Sequence, residues 1–126
     1  MYAFLFVGAG GAIGAMARHA VNLLTARLAG TDFPWGTLAV NVTGSFLMGL
    51  LAGLFALAWS APQDLRLFLT TGILGGFTTF SAFSLDISLL WERGESPHAL
   101  AYAAGSVMLS VLALFSGLAL GRGITS

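Results

Sequence analysis

The sequence has no cysteine and no lysine, and little charge of either sign. The lack of cysteine excludes disulfides, thiolate metal sites and cysteine nucleophiles. With five basic residues, all arginine, against five acidic ones, no basic patch exists, and nucleic acid is excluded as a partner. Charged residues fill 8% of the 126 positions, against about 25% in soluble domains. Proline is nearly as scarce, with three copies, and each falls in a connection between apolar runs. What remains is 57% hydrophobic. So few polar side chains cannot cover a surface that faces water, so membrane lipid is the expected solvent and partner. The length allows one domain, expected to be a single four-helix transmembrane domain over 1–126.

Four apolar runs are long enough to cross a bilayer, which takes about 20 helical residues. The first covers about Tyr2 to Leu28 and is interrupted by Arg18, His19 and Asn22. Its start is apolar, and Ala15-Met16-Ala17 has the small residues of a cleavage site. No positive segment precedes the apolar run, so it is expected to be a retained helix and not a signal peptide. The second run extends from about Trp35 to Ser60, with Trp35 and Trp59 placed as an aromatic belt would place them. The third covers about Leu65 to Trp91 and the fourth about His98 to Leu120. Gly30 to Pro34, Ala61 to Asp64 and Glu92 to Pro97 are the connections, each marked by turn residues. Short loops and no water-facing domain leave little room for an enzyme, and none is expected.

The arginines barely bias orientation. Four spans place Arg66 and Arg122 on one side, and Arg27 and Arg93, with Arg18 if it reaches the interface, on the other. An excess of basic residues on one side normally fixes orientation. A near-tie points to insertion both ways and to an antiparallel dual-topology homodimer with a two-fold axis. The alternative is that one marginal charge fixes a single orientation.

The third run contains the stretch with most chemistry, Gly72-Ile73-Leu74-Gly75-Gly76-Phe77-Thr78-Thr79-Phe80-Ser81-Ala82-Phe83-Ser84. Adjacent glycines followed by two β-branched threonines are poor helix formers. The pattern predicts half-helices near 65–74 and 80–93, with the break near 75–79. Inside a bilayer such a break is tolerated only where protein buries it or a cavity hydrates it. Unwound backbone at Gly75 to Thr78 would expose carbonyls suited to a hard monovalent cation such as sodium. The residues that follow suit an anion. Thr79, Ser81 and Ser84 can donate O–H bonds. Phe80 and Phe83 share one helical face, and a phenyl ring is positive at its edge.

Other polar positions are few. Asn41, well inside the second span, must find a partner or line water; an interhelical hydrogen bond and a pore-facing amide are both open. Tyr102, Ser106 and Ser110 recur every four residues on one face of the fourth span. Asp86 lies inside the third span, with Arg18 or Arg93 as its expected partner, and Arg18 could alternatively set a positive potential at a pore mouth. His19 and His98 have no metal-ligand company and are expected to be structural. The pairs Gly10/Gly14, Gly49/Gly53 and Gly117/Gly121 have the spacing that lets membrane helices approach closely. The glycines of Gly8 to Gly14 lack the spacing, preceding strand and acidic residue of a dinucleotide loop.

Three blocks, Gly11 to Arg18, Gly36 to Asn41 and above all Gly75 to Ser84, resemble the signature blocks of the Fluc or CrcB fluoride channels. The resemblance covers nearly the whole chain. It implies a multi-pass channel in the bacterial plasma (inner) membrane, an antiparallel homodimer with two fluoride pores, and a structural sodium ion that is not transported. It also implies that Gly75 and Thr78 supply carbonyls to sodium and that Phe80 and Phe83 meet fluoride with their ring edges. Asn41 would be the pore amide, Tyr102, Ser106 and Ser110 the polar track, and Arg18 the arginine of the vestibule. Thr79 and Ser81 stand beside the phenylalanines as hydroxyl donors. Three positions depart from the family pattern: Leu114 stands where the track can continue with a hydroxyl, Ala82 where Thr is common, and Asp86 where Glu is usual. The rival expectation is a small proton-coupled multidrug exporter, which needs an acidic residue in the membrane. Only Asp86 is available for that.

Overall fold

The computed structural model describes residues 2–57 and 60–125; Trp59 lies outside them. Long apolar runs satisfy their backbone internally as helix, the one open structure a bilayer permits. All regular structure among the described residues is helical, with no strand. Helix α1 spans Ala3–Ala29 and α2 spans Trp35–Leu57. The third span is composite: α3 (Gln63–Leu67), a π-helical stretch (Phe68–Leu74), a short turn α4 (Gly75–Phe77), and then α5 (Ser81–Glu92). The last helix, α6, spans Ser96–Thr125. All four spans are long and apolar enough to cross a membrane, so the chain is a multi-pass membrane protein. Large side chains such as Phe4 and Leu28 point outward, which is the arrangement lipid requires.

Two turns use left-handed glycine. Gly30 ends α1 at φ 80° and returns its N–H to the Ala26 carbonyl at 3.1 Å. Gly94 follows α5 at φ 77°. A side chain at such angles is strained, so glycine is the residue that turns the chain there. Arg93 donates to the Asp32 carbonyl at 3.1 Å and lies 3.5 Å from Glu95, tying these two turns together on one side of the bundle.

The paired glycines set the packing. A methyl group at Gly49 would collide with the Leu114 carbonyl, and one at Gly117 with the Phe46 carbonyl. Gly53 and Gly121 also meet backbone to backbone. These contacts make α2 and α6 the most closely joined helices, side by side and running in the same direction. On the other side, Gly10 and Gly14 of α1 meet the backbone at Phe68, Gly72 and Ile73. The π-helical stretch is therefore the surface on which α1 packs. Bare backbone at these points replaces the side-chain interdigitation of a water-soluble core, as expected when lipid removes the hydrophobic drive.

Helical geometry persists through Gly75 and Gly76, farther than the glycine pair predicts. The physical reason is packing. Gly76 lies against the Gly11 backbone, where an added Cβ would come within 2.5 Å of the Gly11 carbonyl oxygen. Its missing side chain serves close approach, not backbone freedom. Regular helix ends at Phe77; Thr78 is extended at φ −84° and ψ 158°.

Candidate functional site

Asn41 holds the non-helical segment from across the bundle. Its Oδ1 accepts the Thr79 N–H at 2.8 Å, and its Nδ2 donates to the Thr79 carbonyl at 3.0 Å. One residue's backbone donor and acceptor are thus both satisfied by one carboxamide. A continuous helix would have sent the Thr79 N–H to the Gly75 carbonyl. In the same way, the Ala82 N–H goes to Thr79 Oγ1 at 3.1 Å, where a helix would have given it to the Thr78 carbonyl. The two diversions leave the Gly75 and Thr78 carbonyls without their helical donors. Thr79 then acts as a cap for α5, the usual role of a threonine just before a helix. Ser81 Oγ lies 3.3 Å from Thr79 Oγ1, and Ser84 Oγ donates back to the Phe80 carbonyl at 3.0 Å.

A cavity of about 370 Å³ opens beside this segment. Asn41, Thr78, Thr79, Ser106 and Ser110 supply its polar lining, and Phe80 and Phe83 part of its apolar wall. Phe83 is 7% exposed and Phe80 is 76% exposed. Their ring centroids lie 5.5 Å apart with the planes inclined by 51°. Among the described residues, no charged side chain lines this cavity. Ser106 Oγ is buried with no hydrogen-bond partner among the described residues. A buried hydroxyl without a partner costs about 1–3 kcal/mol, so a site that keeps one needs a reason, such as a bound ligand.

The polar track divides. Tyr102 lies one turn before Ser106, 1% exposed, and its ring contacts Phe83 at 5.2 Å. Its hydroxyl donates to Asp86 Oδ2 at 3.0 Å. It is Ser106 and Ser110 that line the cavity. The expected partners of Asp86 are corrected by the same contact. Its hydrogen bond is with Tyr102, because Arg93 is engaged at the Asp32 carbonyl and Arg18 Nε donates to the Gly76 carbonyl at 3.2 Å. Arg18 is thereby anchored one residue from Gly75. Asp86 borders a second cavity of about 490 Å³, formed with Asn22, Thr37 and Arg93. His19 and His98 are exposed and belong to neither cavity.

The model of the family described as CrcB-like protein, Camphor Resistance (CrcB), matches residues 5–118. The chain belongs to the CrcB family. Among CrcB relatives, a Nitrobacter hamburgensis protein named fluoride-specific ion channel FluC 2 is 58% identical over 97% of this chain and 98% of its own. A Chelativorans protein named fluoride-specific ion channel FluC is 57% identical over 98% of this chain and 99% of its own. One with the same name from Rhodopseudomonas palustris is 55% identical over 97% and 98%. The CrcB assignment rests on near-complete coverage, so all three signature blocks fall within it.

Two features of this CrcB chain were not singled out from the sequence. One is Ser45, a lining residue of the uncharged cavity. Its signal was available, since it lies four residues after Asn41 and so on the same helical face. The other is the Tyr102–Asp86 pair. Sixteen residues and a turn separate these two, and no periodicity links them.

Proposed function

We propose that the protein is a fluoride-selective channel that lets fluoride leave the cytoplasm passively. The observation that carries this is the uncharged cavity, where amide, hydroxyl and phenyl groups converge, in a chain 55–58% identical to relatives named fluoride-specific ion channels. Hydrogen fluoride crosses lipid as a neutral acid and ionises in a less acidic cytoplasm. Trapped fluoride then needs a path outward down its electrochemical gradient.

Fluoride is small, hard and strongly hydrated, so a path for it must replace water with donors. Asn41 Nδ2 has a second N–H beyond the one given to Thr79. Ser106, Ser110 and Thr79 offer O–H groups in the lining, and Ser81, outside the lining, lies beside Thr79. Phe80 and Phe83 offer ring edges, which carry partial positive charge. A fixed cation would hold larger anions as well; weak donors in a narrow dehydrating space favour the smaller one. Arg18, beside the same segment, adds positive potential without entering the cavity. Tyr102 belongs to this path through its ring contact with Phe83 and fixes Asp86 through its hydroxyl.

In this reading the third span is a discontinuous membrane helix, and the protein works as an antiparallel homodimer in the bacterial inner membrane. Gly75 and Thr78 fit a structural sodium ion, because their carbonyls lack helical donors and hard cations take oxygen ligands. The Gly75 and Thr78 carbonyls would hold such an ion, which would supply fixed positive charge beside the break. The exporter alternative has no comparable support, since Asp86 is held by Tyr102 on the second cavity.

The test is fluoride efflux from liposomes containing the purified protein, with and without Phe80→Ile. The unmodified protein should release fluoride rapidly and the variant slowly. No release by the unmodified protein would refute the channel, and undiminished release by the variant would remove Phe80 from the path.

A further inference from the structure

We propose that Ser45 is a further anion-contacting residue of the path, taking over on α2 where α6 runs out of hydroxyls; this rests on the channel reading above. Every fourth residue of α6 faces the cavity, in the order Ser106, Ser110, Leu114. The donors therefore stop one turn early on that helix. Ser45 faces the same cavity from α2, one turn after Asn41.

The packing register places Ser45 at the depth of the gap. Gly49 lies against the backbone of Leu114 and Leu118, and Gly53 against that of Leu118, Gly121 and Arg122. The two helices run in parallel, so four residues earlier on each puts Ser45 level with Ser110 and Leu114. Asn41, Ser45, Ser106 and Ser110 then form two facing columns, with Ser45 opposite the point where the α6 column becomes leucine. Beyond them the lining is Met48, Val111 and Leu114, which offer no donor.

The state of the hydroxyls supports an external ligand. Thr25, Thr70, Thr78 and Ser84 each return their hydroxyl to the carbonyl four residues back, one common outcome for such residues in a helix. Ser45, Ser106 and Ser110 make no such bond, and among the described residues none of the three has a protein partner. Glycine at position 44 contributes by letting Thr78 of the non-helical segment approach α2 next to Ser45. The hydroxyl is thus presented at the cavity by bare backbone beside it.

The experiment compares fluoride efflux from liposomes for the unmodified protein, Ser45→Ala, Leu114→Ser and the Ser45→Ala/Leu114→Ser double variant. Loss of one donor should slow efflux about tenfold in Ser45→Ala. A hydroxyl returned at the same depth by the double variant should restore most of it. Unchanged efflux in Ser45→Ala, with normal efflux by the unmodified protein, would overturn the assignment and leave the channel intact. A loss that Leu114→Ser does not restore would show that Ser45 only packs. Should Ser45→Ala fail to assemble, Ser45→Cys, a similar side chain with a weaker donor, carries the same comparison. No efflux by any form, the unmodified protein included, refutes the channel and Ser45 together.

Discussion

Asn41 takes the Thr79 N–H at 2.8 Å and returns a hydrogen bond to the Thr79 carbonyl at 3.0 Å. This one side chain stands in for a helical turn. It satisfies the backbone where the third span departs from helix, and it leaves the Gly75 carbonyl without its donor. The amide therefore joins the uncharged cavity to the stretch of backbone whose carbonyls lack their helical donors.

Asn41→Leu should consequently do more than remove a pore donor. With nothing to hold Thr79, its N–H can return to the Gly75 carbonyl, and leaving both groups unpaired would cost about 1–3 kcal/mol each. Fluoride efflux should fall more than about tenfold and thermal stability in detergent should drop. Asn41→Asp retains the acceptor and loses the donor, so it should be intermediate in stability. Equal stability of all three proteins would show that the clamp contributes nothing.

The Tyr102 hydroxyl is the donor to Asp86 inside the bundle. Tyr102→Phe leaves that carboxylate oxygen without its partner at nearly the same packing. The expected effect is a loss of about 1–3 kcal/mol in stability, measured by thermal unfolding. The combined variant Tyr102→Phe/Asp86→Leu should recover part of it, because both ends of the bond are then removed. No recovery would mean that the tyrosine acts through something other than Asp86.

Glycine contacts give a stability contrast. Gly117→Ala places a methyl group against the Phe46 carbonyl and should destabilise by about 1–3 kcal/mol. Gly8→Ala meets nothing within 4 Å and should be near neutral. Thermal unfolding of the two purified variants decides. A similar loss in both would argue that α2 and α6 are not joined as described.

If the Gly75 and Thr78 carbonyls hold sodium, its removal should weaken the assembly. An ion present at a hundredfold excess over its dissociation constant adds about 2.7 kcal/mol by mass action. Exchanging sodium for a bulky organic cation should lower the unfolding temperature, and restoring sodium should reverse the change. An unfolding temperature independent of the cation would count against the site.

The sequence was informative wherever a property depends on one residue type and its spacing. The four spans, the glycine pairs and the Asn41–Phe80–Phe83 set are read from apolar run length, from intervals of four and from polar residues inside apolar runs. It was less informative where the outcome depends on what a residue touches. Gly76 looks like a helix breaker but is used for contact with Gly11. Tyr102 looks like the head of a serine column but hydrogen-bonds Asp86. In both, a tertiary neighbour on another helix outweighs the local propensity, and no interval in the sequence encodes that neighbour.

The central claim is that uncharged donors in one narrow cavity select fluoride over larger anions. Its most direct test is the zero-current voltage across a bilayer containing the purified protein, with fluoride on one side and chloride on the other. The account predicts a voltage set by the fluoride gradient and unmoved by changes in chloride. A voltage that follows chloride equally, or no anion current at all, would contradict it.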